Sequence, residues 1–144
     1  MEDEKDSKRR LASRLVAVPL FAGLDNRELE TIAESGREVS FEAGKKILQQ
    51  GERGLAFLLI LDGSVEVNKD GRRLAKLGKG QFFGEMTVID DQPRSADVVA
   101  TEPTTCFGLT AWSFNAVIGS NPSIAKQIMK ELVRRLRQVE NSPQ

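Results

Sequence analysis

The chain has 144 residues, with 21 basic against 21 acidic side chains, 40% hydrophobic content and 29% charged content. That length and balance suit one globular domain with its own core, and zero net charge gives no global pull toward nucleic acid or an acidic membrane. The chain has no histidine and a single cysteine, Cys106, which excludes Ser-His-Asp and Cys-His centres, a His-rich metal site and an internal disulfide, and fits a reducing, cytoplasmic setting.

The polar start, Met1-Glu2-Asp3-Glu4-Lys5, does not read as a secretory signal. Residues 1–8 are charged and are expected to fray. Leu11, Leu15 and Val18 recur at helical spacing, predicting a short helix over about 7–17 that ends before Pro19. Asp25-Asn26-Arg27-Glu28 has the form of a capping box. It opens a second helix to about Ser35, with Leu29, Ile32 and Ala33 on the apolar side and Gly36 as the stop.

From Glu38 to Leu109 the pattern turns to short strands. Val39 and Phe41 alternate with polar residues, and Leu55 to Leu61 is a continuous apolar run, expected to be buried on both faces or tucked against a helix. Turn signals fall at Ala43-Gly44, Gln50-Gly51, Asp62-Gly63, Asp70-Gly71, Gly78-Lys79-Gly80 and Gln92-Pro93. Asp-Gly between apolar runs predicts a hairpin. Many short strands broken by glycine turns favour a β-sandwich or jelly roll. Cys106 lies in an apolar strand and reads as a small core residue.

Helices return at the end. Thr110 caps a helix from Ala111 to Gly119, in which Trp112 and Phe114 are expected to pack on the sheets. Asn121-Pro122 opens a last helix that runs to about Glu140. Ile124, Ile128, Leu132, Leu136 and Val139 form its apolar stripe, broadened by Met129 and Val133. Lys126, Lys130 and Arg134 lie on another face and read as solvated. No apolar run approaches the roughly 20 residues that span a bilayer, so no membrane role is expected.

The chemistry concentrates in Phe83-Gly84-Glu85-Met86-Thr87-Val88-Ile89, followed by Arg94-Ser95-Ala96. Gly84 has no Cβ and lets the backbone approach an anion. The helix start after it offers free N–H groups and a positive dipole end. Glu85 accepts hydrogen bonds, and Arg94 forks onto phosphate oxygens. By period two, Arg94 shares a strand face with Ala96, Val98 and Ala100, so an inward-facing Arg94 needs an anion. Glu85 and a bound phosphate are the two candidates.

These residues resemble the phosphate-binding cassette of cyclic nucleotide-binding domains, the module of catabolite-activator-type regulators, cyclic-nucleotide-dependent kinases and cyclic-nucleotide-gated channels. The resemblance extends to Pro19-Leu20-Phe21-Ala22-Gly23-Leu24, Phe41-Glu42-Ala43-Gly44-Lys45-Lys46-Ile47, Gln50-Gly51-Glu52 and Ile60-Leu61-Asp62-Gly63-Ser64-Val65. It implies a mainly β fold: a jelly-roll β-barrel (double-stranded β-helix) with N-terminal helices and two C-terminal helices. Residues 1–144 would be one domain, with an N-terminal helical bundle at 1–36, a β-roll at 37–110 holding the cassette at 83–96, and hinge and lid helices at 111–140.

The resemblance also implies roles. Glu85 would bind the ribose 2′-hydroxyl and Arg94 the exocyclic phosphate oxygens. Backbone N–H groups from Gly84 to Thr87, and from Ser95 or Ala96, would complete the cradle. Phe83 and Met86 would pack the cassette and sugar. Thr87 departs from the family's usual alanine and bears on affinity and ligand preference. In the last helix, Leu132, Arg135 and Leu136 would lie near the base as a lid.

The ligand implied is cAMP, with cGMP as the other candidate. No catalytic residue, metal or further cofactor is expected, and the chain reads as a regulatory module rather than an enzyme. Its partners would be the nucleotide, an effector protein, or a second copy through the last helix. Direct DNA binding is not expected. The competing reading is a ligand-free interaction or dimerisation domain that keeps the fold.

Overall fold

A computed structural model of the chain describes residues 4–52, 56–90 and 92–140; for Glu4 and residues 86–88 only the backbone is described. Leu55, Asp91 and the side chains of Met86 and Thr87, all part of the sequence expectations, lie outside that description.

Helix α1 spans Glu4–Leu15 and α2 spans Asn26–Ser35, with a 3-10 turn at Pro19–Phe21 between them. The capping box at Asp25 forms: its carboxylate accepts from the Glu28 N–H at 2.8 Å, and Glu28 accepts from the Asp25 N–H at 3.2 Å. The expected fraying of residues 1–8 is corrected for residues 4–8, since α1 begins at Glu4; residues 1–3 lie outside the described residues. Lys8 holds that first turn in place, donating to Ala33 O at 3.3 Å and Gly36 O at 2.7 Å at the C-terminal end of α2. A cation there satisfies unpaired carbonyls and opposes the helix dipole.

Among the described residues eight strands follow: β1 (Arg37–Phe41), β2 (Lys46–Leu48), β3 (Ala56–Asp62), β4 (Ser64–Lys69), β5 (Arg72–Gly78), β6 (Phe82–Phe83), β7 (Asp97–Ala100) and β8 (Thr104–Thr110). They form two antiparallel four-stranded sheets, ordered β1-β8-β3-β6 and β2-β7-β4-β5. The Asp70-Gly71 hairpin joins β4 to β5 with φ of 52° and 78°, the left-handed pair that a two-residue turn requires.

The apolar run in β3 explains how the layers stack. Phe57, Leu59 and Leu61 pack with α1, α2 and the C-terminal helices. Leu58 and Ile60 point the other way, joining Val65, Leu77, Phe83, Val98 and Cys106 between the two sheets. Side chains alternate across a strand, so a strand covered on both faces must be apolar throughout. β6 divides the same way, with Phe82 toward the helices and Phe83 between the sheets.

Cys106 is fully buried in that inter-sheet layer, and burial pushes its thiol up to about 12. The thiolate is the reactive form. We therefore expect a thiol-specific reagent at pH 8 to leave Cys106 unmodified in the folded chain and to react fully once denaturant is added.

Two helices close the chain, α4 (Ala111–Ser120), capped by the Thr110 side chain, and α5 (Pro122–Glu140). Phe114 is buried and stacks 4.9 Å from Phe57. Trp112 does not pack on the sheets as expected; it is 86% exposed. The α5 stripe splits: Ile124 and Ile128 are buried and Leu132 is partly covered, while Met129, Val133, Leu136 and Val139 face solvent. Lys126, Lys130 and Arg134 are exposed, as their pattern suggested. Among the described residues no helix is long and apolar enough to cross a membrane.

Candidate functional site

The site begins where β6 runs out. Gly84 has φ +86°, and helix α3 (Glu85–Asp90) starts immediately after it. A Cβ at Gly84 would stand 2.5 Å from Ala56 O and 3.1 Å from Arg94 Nη1. Glycine is required there twice over, by backbone conformation and by the close approach of its neighbours.

Glu85 and Arg94 are both buried, each 5% exposed. Arg94 does not begin the strand, as period two suggested; β7 starts three residues later at Asp97. Its backbone is instead clamped in the preceding loop. The Arg94 N–H donates to Glu52 O, and Arg94 O accepts from the Gly51 N–H, both at 2.8 Å. The face beyond it follows the expected alternation, with Val98 and Ala100 buried.

The Arg94 guanidinium donates to two backbone carbonyls, Gly84 O at 2.9 Å and Ala56 O at 3.1 Å. Its Nε is buried with no hydrogen-bond partner among the described residues. A buried charged donor left unsatisfied is expensive and points to an anionic partner. Among the described residues the hydrogen bonds of the guanidinium go to carbonyls and not to a carboxylate.

The Glu85 carboxylate is engaged from α5. Arg135 Nη1 donates to Glu85 Oε1 at 3.1 Å, and its Nη2 donates to Phe82 O at 2.6 Å. The guanidinium also lies 4.7 Å over the Phe82 ring centroid, and its Nε donates to Glu131 Oε1 at 3.2 Å. Glu131 is shared with Arg134, whose hydrogen bond holds that carboxyl below its usual range. Burial pushes the Glu85 carboxyl above its ordinary value, while Arg135 and then Arg94 draw it back. Burial likewise lowers Arg94, partly offset by Glu85. The guanidinium keeps its proton at neutral pH regardless.

The remaining predicted residues divide. Phe83 is buried between the sheets, with Leu58 opposite it in the ladder. Ser95 is exposed and Ala96 half-buried beside Arg94. Leu132 packs on the helical core, and Leu136 faces solvent one turn beyond it. Among the described residues no cluster of acidic or cysteine side chains is arranged to hold a metal ion.

Residues 38–121, which include the cassette, match the cyclic nucleotide-binding domain family. The chain belongs to that family. It is 34% identical over 69% of its length to a cAMP-dependent protein kinase regulatory subunit of Yarrowia lipolytica. It is 35% identical over 85% of its length to a cyclic AMP receptor protein of Thermus thermophilus. The chain spans 26% of the first relative and 59% of the second. Among solved structures, the guanosine-bound regulatory subunit of a cAMP-independent protein kinase A from Trypanosoma cruzi is similar at TM-score 0.74 and 27% identity. That match covers 84% of this chain and 44% of the other.

In this cyclic nucleotide-binding domain, sequence reasoning missed the bond from Arg135 to Glu85. It also missed Ala56 and Phe82, whose backbone carbonyls hold the two arginines. Backbone acceptors leave no trace in residue type. Arg135 did carry one signal, an acid four residues earlier at Glu131, but 50 residues separate it from Glu85 and no spacing rule reaches that far.

Proposed function

We propose that this chain is a regulatory module that binds a cyclic nucleotide, with cAMP as the preferred ligand, and converts occupancy into movement of its terminal helices. Glu85 takes the ribose 2′-hydroxyl and Arg94 the cyclic phosphate. The backbone around Gly84 to Thr87 and at Ser95 and Ala96 cradles the anion. The observation that carries this reading is the buried Nε of Arg94, which has no hydrogen-bond partner among the described residues, nine residues after a buried carboxylate at a helix start.

The strand orders 1-8-3-6 and 2-7-4-5 favour a jelly roll, and residues 1–144 are read as one domain. The names of the relatives favour cAMP, and the guanosine-bound one is why other purine ligands belong in the test. The mechanism is linkage: a ligand shifts the α5 arrangement only by its differential affinity for the two states. Leu132, Arg135 and Leu136 are the lid residues in that shift. No chemistry on the nucleotide, no metal and no direct DNA contact is part of this reading, and the setting proposed is cytoplasmic.

The test is thermal. A ligand at about a hundredfold over its Kd adds roughly 2.7 kcal/mol, several degrees of Tm for a domain of this size. Saturating cAMP is expected to raise Tm by that much, cGMP and guanosine by less. No shift with any of the three supports the ligand-free interaction domain instead.

One observation favours a protein partner as well. Met129, Leu132, Leu136 and Val139 recur three and four residues apart along α5, and all but Leu132 are exposed. That spacing is a coiled-coil seam. We infer pairing of two copies through it, or capture of an effector. Sedimentation equilibrium is expected to give a dimer for the native chain and a monomer for Leu136→Glu; a monomer in both removes the pairing.

A further inference from the structure

We propose that Asp97 is a positioning residue for Arg94: its carboxylate fixes the turn to which the arginine's backbone is bonded, and so sets where the guanidinium meets an anion. The inference rests on the assignment of Arg94 to the phosphate and extends it to what holds that arginine in register.

Arg94 lies ahead of the β7 ladder, and both of its backbone groups bond to the turn at Gln49 to Glu52, through Gly51 and Glu52. The turn is closed by the Glu52 N–H, which donates to Gln49 O at 3.2 Å. The Gln50 N–H, second in the turn, has no part in that closure. It donates instead to Asp97 Oδ1 at 2.7 Å, in a partly buried setting. That length suits a charge-assisted bond. Aspartate is a poor strand former, yet Asp97 opens β7, three residues after Arg94 and opposite Asn68 of β4. The bond to the turn gives it a reason to be there. The Gln50 side chain makes a second tie, to the β4–β5 hairpin. Its amide donates to Asp70 Oδ1 at 3.0 Å and accepts from the Asp70 N–H at 3.2 Å. That pair is exposed, so water competes with it more than with the bond to Asp97.

A side chain as long as arginine magnifies a shift at its root. The Arg94 guanidinium must keep Gly84 O at 2.9 Å and Ala56 O at 3.1 Å while it meets the anion. A misplacement of about 1 Å in such a site can cost a hundredfold. Without Asp97 the Gln50 N–H loses its acceptor, and the turn carrying Arg94 is left to the exposed pair with Asp70.

Asp97 has a rival role. Its Oδ2 lies 3.6 Å from Lys46 Nζ, an ion pair that would pin β2 to β7. Three variants of the full chain separate the two. Asp97→Asn keeps an oxygen for the Gln50 N–H but no charge for Lys46. Lys46→Ala removes the ion pair and leaves the bond to Gln50. Asp97→Ala removes both.

The first measurement is amide hydrogen exchange by NMR without nucleotide. The Gly51 and Arg94 amides report the clamp, and the Ile60 amide, bonded to Gln81 O at 2.9 Å, is the reference. Asp97→Ala is expected to speed exchange at Gly51 and Arg94 by about tenfold, through local opening of the turn, and to leave Ile60 unchanged. Asp97→Asn and Lys46→Ala should stay near native. Unchanged exchange at Gly51 and Arg94 in Asp97→Ala overturns the proposal, and so does an equal acceleration at Ile60.

The second measurement is titration of cAMP into the same four proteins. Asp97→Ala is expected to bind about tenfold more weakly, the scale of coupling within one hydrogen-bond network, with Asp97→Asn and Lys46→Ala within about threefold of native. Native affinity in Asp97→Ala overturns the proposal. Equal losses in all three variants assign Asp97 to the ion pair and overturn it as well. If the native chain takes up no cAMP while the exchange result holds, the phosphate assignment fails and the hold of Asp97 on Arg94 stands.

Discussion

Replacing Arg94 with alanine is expected to weaken cAMP binding by roughly 2–5 kcal/mol, about thirtyfold to several thousandfold, the cost of removing one partner from a buried charge-assisted contact. Burial makes this arginine decisive. At 5% exposure it has little water to compensate it, and Nε has no acceptor among the described residues. Lysine at the same position keeps the charge without the fork. It cannot serve Gly84 O, Ala56 O and a phosphate together, so Arg94→Lys should lose most of the affinity as well. The stability effect is smaller and two-sided. Alanine leaves two carbonyls without their donors but also removes a buried, partly unsatisfied charge. Circular dichroism and calorimetric titration of the two variants separate the outcomes: native-like folding with binding lost is expected, and retained affinity in Arg94→Ala contradicts the role.

The largest effect on stability should come from Phe57→Ala. Phe57 is 1% exposed and sits between Phe82 at 5.4 Å and Phe114 at 4.9 Å, linking β3 to β6 and α4. Emptying such a position removes the transfer free energy of the ring and leaves a cavity, typically about 3–5 kcal/mol. Against a total of roughly 5–15 kcal/mol that is a large share, and a Tm drop of about 10–20 °C follows for a domain of this size. Phe57→Leu refills most of the volume and should cost under about 1.5 kcal/mol. The substitution also reaches the site. Phe82 carries the ring and carbonyl that seat Arg135, so loosening Phe82 should loosen α5 before the sheets melt. Thermal melts followed at 222 nm measure the main effect; a loss under 1 °C would contradict the packing described.

What was legible in the sequence was local. The Asp25 capping box, the Asp70-Gly71 hairpin and the doubly buried run of β3 are all set by a few adjacent residues. The cassette belongs with them, because its glycine, acid and arginine lie within a dozen residues. What was not legible depends on distant partners. The start of α1 needs Lys8 to find the end of α2, 25 and 28 residues away. Arg94 reads as the start of a strand by period two. Its backbone bonds go to Gly51 and Glu52 instead, and the ladder begins at Asp97. Trp112 was placed on the sheets because large apolar residues usually pack, yet Phe114 takes the inward position of the same helix turn. The α5 stripe is continuous in sequence but is covered only up to Leu132. The pairing of Glu85 with Arg135 is the most consequential of these, and only the three-dimensional structure holds it.

In the proposed function Glu85 and Arg94 clasp one sugar-phosphate ring. Isothermal titration of cAMP into the native chain and into Arg94→Ala tests it most directly. One ligand bound per chain, with the heat abolished in Arg94→Ala, is the predicted result. A folded native chain that takes up neither cAMP nor cGMP, or an Arg94→Ala chain that binds as well as the native one, would contradict it.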